Sequence, residues 1–103
     1  MSFAVRYSAA ARDDLVRPYE ALLDRATSAE DLDLAEQALG VIAAAVESLR
    51  RSPFICRKAG ADPFLRELVI PFGHSGCVAL FEIDDASTVT ILAVRRLLED
   101  DDH

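Results

Sequence analysis

The chain opens on a period-two alternation, with Phe3, Val5 and Tyr7 set against Ala4 and Arg6. That is the pattern of a strand with one buried face. From Ser8 the period changes: Leu15, Tyr19, Leu22, Leu23 and Ala26 recur at helical spacing, and Ser8 is placed to cap the first turn. Pro18 falls inside this helix and predicts a kink or a break, because it removes one hydrogen bond from the ladder. In the second helix, Ser28 and Asp31 have the capping-box arrangement. Leu32, Ala35, Leu39, Ile42, Val46 and Leu49 then alternate spacings of three and four. Ala38, Val41 and Ala45 widen that stripe, so this helix is expected to touch both the first helix and a sheet. Gly40 costs about 1 kcal/mol relative to alanine and is expected to permit close approach of the first helix. Pro53 ends the helix, and "SPFICRKAGADPF" reads as a loop with a turn at Gly60.

Three apolar stretches follow, "LRELVIPF", "CVALFEI" and "TVTILAV", joined by "GHSG" and "DDAS". Connectors this short join antiparallel strands, since a parallel pair needs a long crossover. "CVALFEI" is apolar on both faces, with Cys77, Ala79, Phe81 and Ile83 on one and Val78 and Leu80 on the other, so it belongs at the centre of the sheet. The predicted order is β-α-α-β-β-β. This is an α+β domain with an N-terminal helical hairpin packed on a twisted antiparallel sheet.

With 103 residues, 51% of them apolar, residues 1–103 make one domain with one core. Charges recur every few positions in the first thirty residues, and no apolar run approaches the roughly 18 residues of a membrane span. A cytoplasmic protein without membrane association is expected. Cys56 and Cys77 lie in apolar surroundings and predict buried thiols, not a disulfide framework or a zinc site. No phosphate loop or metal-ligand motif is present, so no cofactor or metal is expected. The net charge of −7 argues against a broad grip on nucleic acid. Arg50, Arg51, Arg57 and Lys58 fall within nine residues free of acids. They read either as a local positive patch or as cations favourably placed at a helix C-terminus.

Chemistry-bearing residues gather on the strands. Arg66 begins an apolar strand and is suited either to an ion pair, for instance with Glu82 across the hairpin, or to a functional contact. Arg95 and Arg96 stand where the last strand is expected to leave the sheet, so their side chains should point to opposite faces. Glu99 to Asp102 follow. His74 in "FGHSG" reads as an exposed turn residue, and His103 as a terminal one.

These words, in this order, resemble the RelE/ParE superfamily of toxins from type II toxin–antitoxin modules, closer to its ParE-like members. "FAVRYSAAARDDLVRPYEALL" is similar to the family's opening strand and first helix. "AEQALGVIAAAVESLRRSPFICRKAG" is similar to its second helix and proline-led loop, and "LRELVIPFGHSGCVALFEIDDASTVTILAVR" to its C-terminal meander. The resemblance covers essentially the whole chain. It implies a toxin neutralised by a cognate antitoxin, with operator DNA reached only through that antitoxin. ParE-like members act on DNA gyrase, and RelE-like members cut messenger RNA on the ribosome. The cleavage branch requires cations for developing phosphate charge, for which Arg66, Arg95 and Arg96 are the catalytic candidates. Against cleavage, Arg96, Leu98 and Asp102 stand where relatives carry a histidine, an arginine and a near-terminal tyrosine, and four acids at the tail oppose a phosphate. Cys77 follows Gly76 where many relatives have tyrosine. The expected reading is a non-enzymatic, gyrase-directed toxin with Arg66, Cys77, Arg95, Arg96, Leu97 and Leu98 as partner-binding candidates. The alternatives are a ribosome-dependent ribonuclease and a detoxified homologue that retains antitoxin binding and co-repression.

Overall fold

The computed structural model describes residues 2–72 and 75–97. Strand β1 (Ala4–Tyr7) leads into helices α1 (Ala9–Arg25) and α2 (Ala29–Glu47). Two single-turn 3₁₀ pieces follow, Ser48–Arg50 and Pro53–Ile55, then strands β2 (Arg57–Lys58), β3 (Leu65–Phe72), β4 (Ser75–Ile83) and β5 (Thr88–Leu97). The five strands form one sheet in the order β1-β5-β4-β3-β2, with β4 at its centre as its two apolar faces required.

Ser8 does cap α1, its hydroxyl accepting from the Ala11 N–H at 3.0 Å. The same hydroxyl donates to the Leu92 carbonyl at 3.0 Å, which fastens the start of the helix to β5. The chain does not break at Pro18, since α1 is one helix of 17 residues. Packing against β5 and α2 outweighs the single hydrogen bond that proline forgoes.

In α2, Ser28 Oγ accepts from the Asp31 N–H at 3.2 Å. The Asp31 carboxylate turns back one residue further than a capping box requires, accepting from Thr27 N at 2.9 Å and Thr27 Oγ1 at 3.2 Å. These bonds favour the charged form and lower the Asp31 pKa. A carboxyl lowered in the folded state stabilises above its unfolded pKa, near 4, and that stabilisation disappears as pH falls through the folded value. Asp31→Asn is therefore expected to lower thermal stability above about pH 5 and to leave the acid end of the profile nearly unchanged, which flattens its acid limb.

Gly40 does not serve close approach, because a Cβ added there would meet nothing within 4 Å. Gly40→Ala is expected to stabilise the protein by about 0.5–1 kcal/mol, read as a raised urea midpoint. Leu32 begins the apolar stripe yet is 44% exposed.

The core lies between the helical hairpin and one sheet face. Phe81, Leu49, Ile70, Ile91 and Val89 are fully buried there. Helix α1 packs on β5 and α2 on β3. A bulge where Leu80 opposes Ala93 and Phe81 opposes Ile91 accommodates Leu92 as an extra residue, so Ile91 and Val94 both face the core. The β3-β4-β5 meander is antiparallel as expected, whereas β1 joins β5 in parallel, from Ala4 beside Thr88 to Tyr7 beside Ile91. The sheet is mixed because β1 reaches its place through the helical hairpin and no tight turn dictates its direction. The loop between Pro53 and Pro63 also holds more structure than its composition suggested, since Arg57 and Lys58 pair with Glu67 and Arg66.

A candidate partner-binding surface

Arg66 is committed to the fold. Its Nε donates to the Pro63 carbonyl at 2.7 Å, and one terminal nitrogen donates to the carbonyls of Phe54 at 3.0 Å and Cys56 at 2.8 Å. The guanidinium also lies 5.4 Å from the Phe54 ring centroid. The expected ion pair with Glu82 is replaced by a brace on three loop carbonyls, a task that needs the planar fork of arginine. The neighbouring carboxylate, Glu67, pairs instead with Arg57 at 2.9 Å. Arg66→Met is expected to cost about 1–2 kcal/mol, and hydrogen exchange should accelerate at residues 54–59 before elsewhere.

Arg95 and Arg96 do not stand where the strand leaves the sheet. Strand β5 continues through both to Leu97, pairing Arg95 with Val78, Arg96 with Cys77 and Leu97 with Gly76. Both arginines are exposed, and strand alternation directs them to opposite faces as expected. Arg96 lies across from Cys77 on the helix-side face. Partial burial raises the Cys77 pKa, and the Arg96 charge opposes that rise. Cys56, likewise half-buried, has its pKa raised by burial against the charge of Arg66. Both thiols are thus held in the protonated form.

The three arginines do not come together. Arg66 lies opposite Phe81 and Arg96 opposite Cys77, four residues apart on β4, a separation of about 13 Å along a strand. The basic segment after α2 is partly neutralised as well, since Arg50 bonds Glu47 at 2.9 Å and Arg57 bonds Glu67. His74, Leu98, the acidic run from Glu99 to Asp102, and His103 lie outside the described residues.

The structure does assemble an open sheet face on the side away from the helices. Val69 pairs with Val78, which pairs with Arg95; one step along, Glu67 pairs with Leu80, which pairs with Ala93. Val69 is 44% exposed and Val78, Leu80 and Ala93 are half-buried. The result is an apolar patch with Arg95 at one end and Glu82 and Thr90 at the other. Val69 escaped notice because it lies in an apolar run; its signal was its parity, opposite to Leu68 and Ile70.

Beside this face, the β1 side of β5 is covered only as far as Ile91. Beyond that point Ser8 takes the Leu92 carbonyl, and Asp14 on α1 accepts from the Val94 N–H at 2.9 Å. Alternation then turns the backbone groups of Arg96 to the same side, where no further strand lies among the described residues.

Comparison with known proteins agrees with this architecture. The model of the family described as "ParE toxin of type II toxin-antitoxin system, parDE" matches residues 5–100. No curated protein sequence matches. A chain from the structure "Chromosomal ParDE TA system from P. aeruginosa" is similar in fold, with a TM-score of 0.72 at 17% identity, over 94% of this chain and 98% of that one. The sheet order, the helical hairpin and a family match over nearly the whole sequence lead to one assignment: this chain belongs to the ParE toxin family of type II toxin–antitoxin systems.

Proposed function

We propose that the protein acts by binding a large protein target, DNA gyrase, and that a cognate antitoxin neutralises it by covering the open sheet face and the free edge of β5. The observation that carries this reading is the pairing of an open apolar patch, exposed at Val69 and half-buried at Val78 and Leu80, with an unpaired strand edge at Arg96. Such an edge accepts an extended segment through main-chain hydrogen bonds, while the patch beside it supplies apolar contact. Arg95 at the patch and Arg96 at the edge are the cations of that surface, and Leu97 follows them as the last residue of β5.

Cleavage of RNA is less well supported. It needs cations converging on one phosphate, and Arg66 is committed to carbonyls about 13 Å of strand away from Arg96. The acidic balance of the chain directs any operator contact through the antitoxin. Both proposed partners place the protein in the cytoplasm, and among the described residues no helix is long and apolar enough to cross a membrane.

A supercoiling assay with purified gyrase tests the proposal. The protein should inhibit supercoiling in a dose-dependent way, and stoichiometric antitoxin should restore it. Undiminished supercoiling together with cleavage of messages on translating ribosomes would establish the nuclease reading instead.

A further inference from the structure

At the end of the sheet opposite Arg95 and Arg96 lies a cleft of about 400 Å³, lined by Phe54, Phe64, Ile83, Asp84, Asp85 and Ala86. Its position follows from the fold. Ile83 N donates to the Phe64 carbonyl at 2.8 Å, which holds the entry to β3 against the end of β4 and the acidic turn that follows. The two phenylalanines meet edge to face, with centroids 6.3 Å apart and planes at 73°. Each is 49% exposed, and neighbouring Ile55 is 83% exposed. Large apolar side chains left this open in a small domain mark an interaction site.

The chemistry of the walls selects the occupant. Asp84 accepts from Thr90 Oγ1, and Asp85 Oδ1 accepts from Ser87 N at 2.8 Å and Ser87 Oγ at 3.1 Å. These bonds orient the carboxylates without neutralising them, and neither has a basic partner among the described residues. Two carboxylates beside two aromatic rings form a surface for a cation with an apolar stem. Guanidinium suits it better than ammonium, because it stacks on a ring while donating to carboxylates in pairs. The protein shows that this ring accepts such a group, since the Arg66 guanidinium already lies over Phe54.

We propose that this cleft receives an arginine side chain presented by a protein partner, with the guanidinium at Asp84 and Asp85 and the stem against Phe54 and Phe64. The exposed Ile55 provides contact for an apolar residue flanking that arginine. This cleft adjoins the far end of the open sheet face, where Thr90 bonds Asp84, and the proposal stands whether or not gyrase is the target.

The test uses the full chain and the blocked tripeptide acetyl-Leu-Arg-Leu-amide, followed by nuclear magnetic resonance. Expected are saturable shifts confined to Phe54, Phe64 and the amides of residues 83–86. The isosteric peptide with neutral citrulline in place of arginine should bind at least tenfold more weakly, as should the tripeptide to the Asp84→Asn/Asp85→Asn variant. That variant retains oxygen acceptors for Thr90 and Ser87, and its own spectrum reports whether the fold is intact. A second variant, Phe64→Leu, removes the ring and should weaken binding without touching the acids. Equal binding of the citrulline peptide, shifts spread over the acidic surface, or no saturable shift would each overturn the proposal.

Discussion

Gly76→Val is expected to destabilise the protein by more than about 3 kcal/mol. Gly76 pairs with Pro71 across the β3-β4 hairpin. A Cβ at this position would press into the Ile70 carbonyl and reach Pro71 Cα at 3.0 Å. Both obstacles are backbone, and a backbone held in an eight-residue pairing with β4 does not rotate away as a side chain would. Relief requires β3 to shift, and that shift would move Ile70, which is 1% exposed, out of the core. Gly76→Ala should lose somewhat less, and both variants should lower the urea midpoint with little change in slope. An unchanged midpoint in the alanine variant would show that β3 and β4 can separate at this point without loss.

Val69→Asp should have the largest effect on recognition while sparing the fold. Val69 lies on the open face of β3, 44% exposed and paired with Val78. Its replacement leaves the helix-side core untouched, so stability should change by less than about 1 kcal/mol. A partner that covers the patch must bury the new carboxylate in an apolar contact, which costs about 2 kcal/mol or more. Antitoxin affinity, measured by calorimetry, should fall at least 30-fold. Val69→Ala should cause only a small loss. An aspartate variant that binds as tightly as the parent would place the antitoxin elsewhere.

Much of the architecture was legible from period and punctuation. "LRELVIPF" coincides with β3 from Leu65 to Phe72, and the double-sided apolar pattern of "CVALFEI" located the central strand. What escaped were features set by partners distant in sequence. The parallel pairing of β1 depends on β5, more than eighty residues away, and nothing local to "FAVRY" encodes its direction. The continuity of α1 through Pro18 depends on tertiary packing that overrides a local penalty. Strand β2 exists because Glu67 and Arg66 lie beside Arg57 and Lys58.

The candidate site was legible only in part. Alternation foresaw the divergence of Arg95 and Arg96, but β5 runs on to Leu97 and keeps both within the sheet. The commitment of Arg66 to three carbonyls was hidden, since main-chain acceptors leave no signature in a sequence. The aromatic cleft was hidden for a similar reason: Phe54, Phe64 and the acids at 84 and 85 meet only when the sheet end closes.

Controlled expression of this chain in bacteria, with and without its cognate antitoxin, tests most directly whether it is an active toxin. Induction alone should arrest growth and trigger a DNA-damage response, and co-expression of the antitoxin should restore growth. Unimpaired growth on induction, in cells where the folded protein accumulates and captures the antitoxin tightly, would contradict the toxin reading and identify the chain as a detoxified partner.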